Sequence, residues 1–150
     1  MGHSLVCNYV HLVFSTKYRE PTILPSFESD LYAYIGGICN RMECPCVKVG
    51  GYRNHVHILF ELSKNRTLVE VVKELKTASS KWVKTRGPQH RRFYWQRGYG
   101  AFSVDYRGVH RVAVYIERQR EHHSKIPFEQ EFLTMLNDNN MVPDMRYLWD

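Results

Sequence analysis

The residues able to do chemistry fall in two stretches. The first is Gly50-Gly51-Tyr52-Arg53-Asn54-His55-Val56-His57-Ile58-Leu59-Phe60. From His55 to Phe60 it reads as a β-strand, rich in β-branched and large apolar residues. Strand side chains alternate faces, so His55 and His57 share one face while Val56 and Ile58 take the other. Two imidazoles so spaced can hold one metal ion together, although the same spacing suits a half-exposed strand with two ordinary histidines. The second stretch is Val109-His110-Arg111-Val112-Ala113-Val114-Tyr115-Ile116-Glu117-Arg118-Gln119-Arg120-Glu121-His122-His123. Its apolar stripe is Val109, Val112, Ala113 and Ile116, and Arg111, Tyr115, Gln119 and His122 fall on another face. A tyrosine hydroxyl is a competent nucleophile once its proton is removed or its target is polarised. A tyrosine lying against a neighbouring element would give the same pattern.

The elements that must position these residues are legible in order. Leu5 to Thr16 reads as a strand with apolar residues on both faces, which suits a central position. Helical spacing of Phe27, Leu31, Tyr34, Ile35, Ile38 and Met42 predicts a helix to about Glu43, with Ser26 as its N-cap. Cys44 to Val49 is a short strand, and Gly50-Gly51 is expected to turn it into the histidine strand. Thr67-Leu68-Val69-Glu70 is a capping box opening a helix to about Thr85. Its Lys73, Lys76, Lys81 and Lys84 read as a solvated face. Phe93 to Val104 is expected as a long or bent fourth strand. There, aromatics interleaved with arginines suit either core packing or base stacking.

Strand, helix, strand, strand, helix, strand is the split βαβ, ferredoxin-like order. The fold class is therefore α+β, an antiparallel four-stranded sheet with helices on one face and a C-terminal helix beyond it. In that topology the first and third strands lie centrally, and the sheet's other face is free to carry a site.

At 150 residues the chain is expected to form one domain. A net charge of +6 favours a polyanionic partner such as nucleic acid. No apolar run spans a bilayer and no secretion signal is visible, so a cytoplasmic location is expected. Cys7, Cys39, Cys44 and Cys46 form no paired CxxC units, which argues against a zinc ribbon and for free buried thiols. No glycine-rich phosphate loop appears, and neither an HExxH motif nor a clear carboxylate base suggests a zinc hydrolase.

The histidine–hydrophobic–histidine motif of His55-Val56-His57 resembles that of HUH single-strand endonucleases. Tyr115-Ile116-Glu117-Arg118-Gln119 is similar to the catalytic helix of single-tyrosine transposases of small bacterial insertion sequences and their REP-associated relatives. Ser15-Thr16-Lys17-Tyr18-Arg19, Leu75-Lys76 and Trp95-Gln96-Arg97-Gly98-Tyr99 agree with it in order along the chain. Residues 1–104 are then the ferredoxin-like core read from the element order, and the resemblance makes 105–150 of the single 1–150 transposase domain the catalytic helix and tail. It implies Tyr115 as a nucleophile forming a 5′-phosphotyrosine link to single-stranded DNA, with His55, His57 and Gln119 ligating Mg²⁺ or Mn²⁺. No nucleotide cofactor is needed.

The resemblance also implies a homodimer whose active sites are shared between subunits, and hairpin-forming DNA ends as partner. Candidate DNA contacts are Lys17, Arg19, Lys81, Lys84, Arg86, Arg91, Arg92 and Arg97. The competing expectations are a non-catalytic nucleic-acid-binding module stacking bases on the sheet, and a domesticated relative of the transposase. Tyr106 is the alternative nucleophile.

Overall fold

The computed structural model describes residues 2–150. Four strands, β1 (Tyr9–Ser15), β2 (Cys46–Tyr52), β3 (His55–Glu61) and β4 (Gly100–Val104), form an antiparallel sheet in the order β2-β3-β1-β4. The ferredoxin-like order read from the sequence is the one observed, with β1 and β3 central. Helices α1 (Glu28–Arg41) and α2 (Leu68–Lys84) connect the strands. Three further helices follow β4: α3 (Val109–Glu117), α4 (Gln119–His123) and α5 (Phe128–Asp138).

The period-two pattern of β1 and β3 divides the sheet into two faces. Leu12, Phe14, Val56, Ile58 and Phe60 are buried in the main core with Leu31, Ile35 and Ile38 of α1 and Val71, Val72 and Leu75 of α2. Each such side chain contributes roughly 1.5–3 kcal/mol by leaving water. The opposite face carries Val13, His55 and His57. Val13 joins Phe102, Phe128, Phe132 and Leu136 in a second, smaller core beneath α5. That face is not free: the helices after β4 cover it.

Several local expectations are corrected. The first strand begins at Tyr9, not Leu5; Leu5 and Val6 precede its pairing with β3 and β4 and are exposed. Ser26 does not cap α1, whose N-cap is Phe27 with no side-chain bond. The Thr67 hydroxyl does accept from the Glu70 N–H at 3.2 Å, as the capping box requires. Gly50 and Gly51 lie inside β2, and the turn is Arg53-Asn54, with Arg53 at φ 49°. Regular pairing in the fourth strand is confined to Gly100–Val104, with Trp95 reaching Thr16 through an isolated bridge. Phe93 and Trp95 are core residues, 4.8 Å apart edge to face, while Tyr94 and Tyr99 face solvent. The α2 lysines are not one solvated face: Lys76 and Lys84 are partly buried on backbone carbonyls. Cys7 is exposed, so not every thiol is buried.

Candidate active site

One row of residues crosses the sheet on the site face. The pairing register sets Gly50 of β2 opposite His57 of β3, His57 opposite Val13 of β1, and Val13 opposite Gly100 of β4. The two outer positions are glycines for a steric reason. A Cβ on Gly50 would lie 2.6 Å from the Ile116 carbonyl oxygen, and one on Gly100 would lie 2.6 Å from the Phe132 ring. Missing side chains at both edges let α3 and α5 sit close on the sheet, one on each side of His57.

Tyr115 and Gln119 were expected on one helix through His123. The helix breaks at Arg118 (φ −92°, ψ 16°), so Tyr115 lies in the last turn of α3 and Gln119 opens α4. Both side chains still reach the same place. The Tyr115 hydroxyl donates to Glu131 Oε2. The Gln119 amide nitrogen donates to that oxygen at 2.9 Å, and its carbonyl oxygen lies 2.9 Å from His55 Nε2. The other carboxylate oxygen, Glu131 Oε1, is 3.1 Å from His57 Nε2, 3.0 Å from His123 Nε2 and 3.6 Å from His55 Nε2. His11 Nε2 lies 2.8 Å from His57 Nδ1.

Thus the four residues Tyr115, His55, His57 and Gln119 converge. Glu131, His123 and His11 join them. Donor atoms of His55, His57, His123 and Glu131 all lie within 4.8 Å of one another, a cluster able to hold a metal ion. Glu131 is not singled out by the sequence pattern, because it sits on α5, an element beyond the split βαβ order. The signal was present: Phe128, Phe132 and Leu136 follow Pro127 at four-residue steps.

The electrostatics follow from burial. His55 and His57 are completely buried. Burial, with the His57 imidazole alongside, holds His11 down to about 3 and pushes His55 well below the ordinary imidazole range. Burial alone would raise the Glu131 carboxyl; positive charge placed between it and His123 and His57 outweighs burial and holds the carboxyl far below its usual range. Burial, then the adjacent Glu131 carboxylate, pushes the Tyr115 phenol up, so it holds its proton. Tyr106, the alternative nucleophile, is exposed and packs near Tyr9 outside this cluster.

The basic candidates separate. Lys17, Arg19 and Arg97 line a cavity of about 630 Å³ with Tyr18, Tyr94 and Trp149. Arg92 and Lys17 border a neighbouring one of about 410 Å³. Arg19 is tied to Glu129 at 2.8 Å and lies 4.6 Å from the Trp149 ring centre. Lys84 donates to the Phe93 carbonyl and to the Ser80 hydroxyl, each at 2.7 Å, which ties its ammonium to the fold. Lys81, Arg86 and Arg91 are exposed.

Solved structures share this architecture. A structure described as a candidate transposase from Deinococcus radiodurans matches with a TM-score of 0.61 and 22% identity, covering 79% of this chain and 96% of that one. A REP-associated tyrosine transposase bound to a REP hairpin matches with a TM-score of 0.60 and 12% identity, covering 95% of this chain and 87% of that one. The fold is that of the tyrosine transposases. Residues 5–119 match the family described as "Transposase IS200 like", and the chain belongs to that family. No curated protein matches it in sequence. Among the described residues no helix is long and apolar enough to cross a membrane.

Proposed function

We propose that this chain cleaves and rejoins single-stranded DNA through a covalent link to Tyr115. One observation carries the reading: the Tyr115 hydroxyl donates to a carboxylate whose other oxygen faces the paired imidazoles of β3. Nucleophile, proton acceptor and cation-binding groups therefore meet at one point on the sheet.

The phenol oxygen attacks the phosphorus of a DNA phosphodiester. The new O–P bond joins Tyr115 to the 5′-phosphate, and the bond from phosphorus to the 3′-oxygen breaks. As the O–P bond forms it acidifies the phenol, whose proton is given up to Glu131 Oε2, the acceptor already in contact, and the departing 3′-oxygen takes up a proton to leave a hydroxyl. Rejoining reverses these steps with another 3′-hydroxyl. The phosphodiester energy stays in the tyrosine link, so no nucleotide is consumed. The donor set fits a divalent ion, Mg²⁺ or Mn²⁺, held by His55 and His57 with Gln119. When bound, that ion would neutralise charge growing on the phosphate oxygens. His11 fixes the His57 ring from behind, and Gln119 holds Glu131 toward Tyr115.

The DNA partner we propose is a hairpin-forming single strand, the kind of DNA bound in the structure of the REP-associated tyrosine transposase that shares this fold. Lys17, Arg92 and Arg97, grouped around exposed Tyr94, are the basic residues best placed to follow its backbone. A base-stacking module without catalysis is disfavoured, because the sheet face it would use is covered by α3 to α5. Incubating the protein with labelled hairpin and fully duplex oligonucleotides plus Mg²⁺ or Mn²⁺ tests the reading. Cleavage confined to unpaired DNA is expected; binding without any cleavage would favour the non-catalytic module.

A further inference from the structure

The hydrogen-bond network fixes where the protons of His123 and His55 lie, and it allows the same arrangement at His57. His123 Nδ1 is 2.7 Å from the Ile126 carbonyl oxygen, which can only accept, so Nδ1 carries the hydrogen. In the neutral ring Nε2 is then a bare lone pair, and it points at Glu131 Oε1 across 3.0 Å. His55 repeats the pattern. The Asn54 amide nitrogen donates to the Arg19 carbonyl, which fixes Asn54 Oδ1 as the acceptor 3.0 Å from His55 Nδ1. His55 Nε2 is therefore bare as well, and it faces the Gln119 carbonyl oxygen at 2.9 Å. Gln119 cannot be turned around, because its amide nitrogen must donate to the Glu131 carboxylate. His57 Nδ1 meets His11 Nε2 at 2.8 Å; donated from His57, that bond leaves its Nε2 bare toward Glu131 Oε1 at 3.1 Å.

Acceptors facing acceptors at about 3 Å in a buried space repel unless positive charge lies between them. Protonating each ring would place several imidazolium charges side by side in a dry site. A single cation satisfies all of these atoms at once. Ligand atoms about 2.1 Å from one ion stand about 3 Å apart when at right angles around it, which matches the spacing seen.

We propose that Glu131 Oε1 and His123 Nε2 are direct metal ligands alongside His55, His57 and Gln119, and that this sphere selects a first-row transition ion over Mg²⁺. The inference rests on the proposed metal site and extends it by two ligands and an ion class. Mg²⁺ prefers oxygen donors and keeps much of its water, whereas three imidazoles suit Co²⁺, Ni²⁺ or Zn²⁺. The two oxygens of Glu131 divide the work: Oε1 faces the imidazoles and Oε2 holds Tyr115.

The test is Co²⁺ binding to the full chain, followed by calorimetry and visible absorption, with Mg²⁺ as competitor. Wild-type protein is expected to take one Co²⁺, displaced only by an excess of Mg²⁺ of at least about 100-fold. Glu131→Gln keeps the shape of the side chain, and thermal melting of the ion-free protein confirms that it and His123→Ala fold. Each is expected to weaken Co²⁺ by more than about 100-fold and to alter its absorption bands. An outer-sphere partner would cost only about 10–100-fold. Wild-type affinity in both variants, with His57→Ala still defective, overturns the added ligands. Equal Co²⁺ and Mg²⁺ affinity overturns the selectivity. A wild-type chain that takes up no ion overturns the metal site altogether. Absence of DNA cleavage alone would leave the binding result standing.

Discussion

His57 Nε2 lies 3.1 Å from Glu131 Oε1, a contact between the middle of the sheet and a helix 74 residues further along the chain. It joins the motif most visible in the sequence to the residue least visible in it. Around this contact the chain arranges Tyr115, Gln119, His55 and His123, and the glycines at both edges of the sheet let the supporting helices come close enough.

Gly50 should therefore matter to catalysis without touching substrate. A Cβ there meets the backbone of Ile116, the neighbour of Tyr115, and forces α3 outward. Gly50→Ala is expected to slow formation of the DNA–protein link by about 100-fold, the scale set by an ångström of misplacement. Co²⁺ affinity should change far less. Parallel rate and binding measurements decide it; equal losses in both would mean the sheet itself is disturbed.

Lys76 is expected to be a stability residue. Its ammonium donates to the carbonyls of Gln96, Arg97 and Gly98 at 2.7, 3.0 and 2.7 Å, holding the segment before β4 against α2. Lys76→Met leaves those acceptors without this donor and should cost about 1–3 kcal/mol in urea unfolding. An unchanged midpoint would mean water replaces the ammonium freely.

The ion-free fold should weaken in acid. His11 and His55 have lowered affinity for protons in the folded state, so below pH about 6.5 the unfolded chain binds protons that the folded chain does not. Stability is fully present above that pH and falls as pH drops toward about 3, the folded value of His11. The slope is up to about 1.4 kcal/mol per pH unit for each such imidazole. Denaturant midpoints at pH 8, 6 and 5 in chelator measure this; a flat profile would contradict the burial argument.

The site should be complete within one chain. Sharing between the subunits of a homodimer was the expectation from resemblance, yet Tyr115, Glu131 and His57 meet inside a single copy. Mixing Tyr115→Phe protein with His57→Ala protein is thus expected to give no DNA adduct. Restored adduct formation would establish exchange of α3 and α4 between two copies.

Local sequence pattern carried much of this structure. The alternation of His55-Val56-His57-Ile58 fixed the two faces of β3, Thr67 marked the start of α2, and the element order gave the central place of β1 and β3. What escaped depends on tertiary contact. Glu131 looks like any acidic residue of an amphipathic helix until α5 is laid over the sheet and buries it. Gly50 resembles a turn glycine, and only the nearness of Ile116 shows that its role is close approach. The break at Arg118 is silent in a sequence whose helical spacing continues past it.

The measurement closest to the centre of the account is recovery of a covalent protein–DNA species. Wild-type protein, a single-stranded hairpin oligonucleotide and a divalent ion are denatured together, and the linked peptide is identified by mass spectrometry. The account predicts a 5′-phosphate on Tyr115, lost in Tyr115→Phe and retained in Tyr106→Phe. A link mapped to Tyr106, or cleavage that persists in Tyr115→Phe, would contradict it.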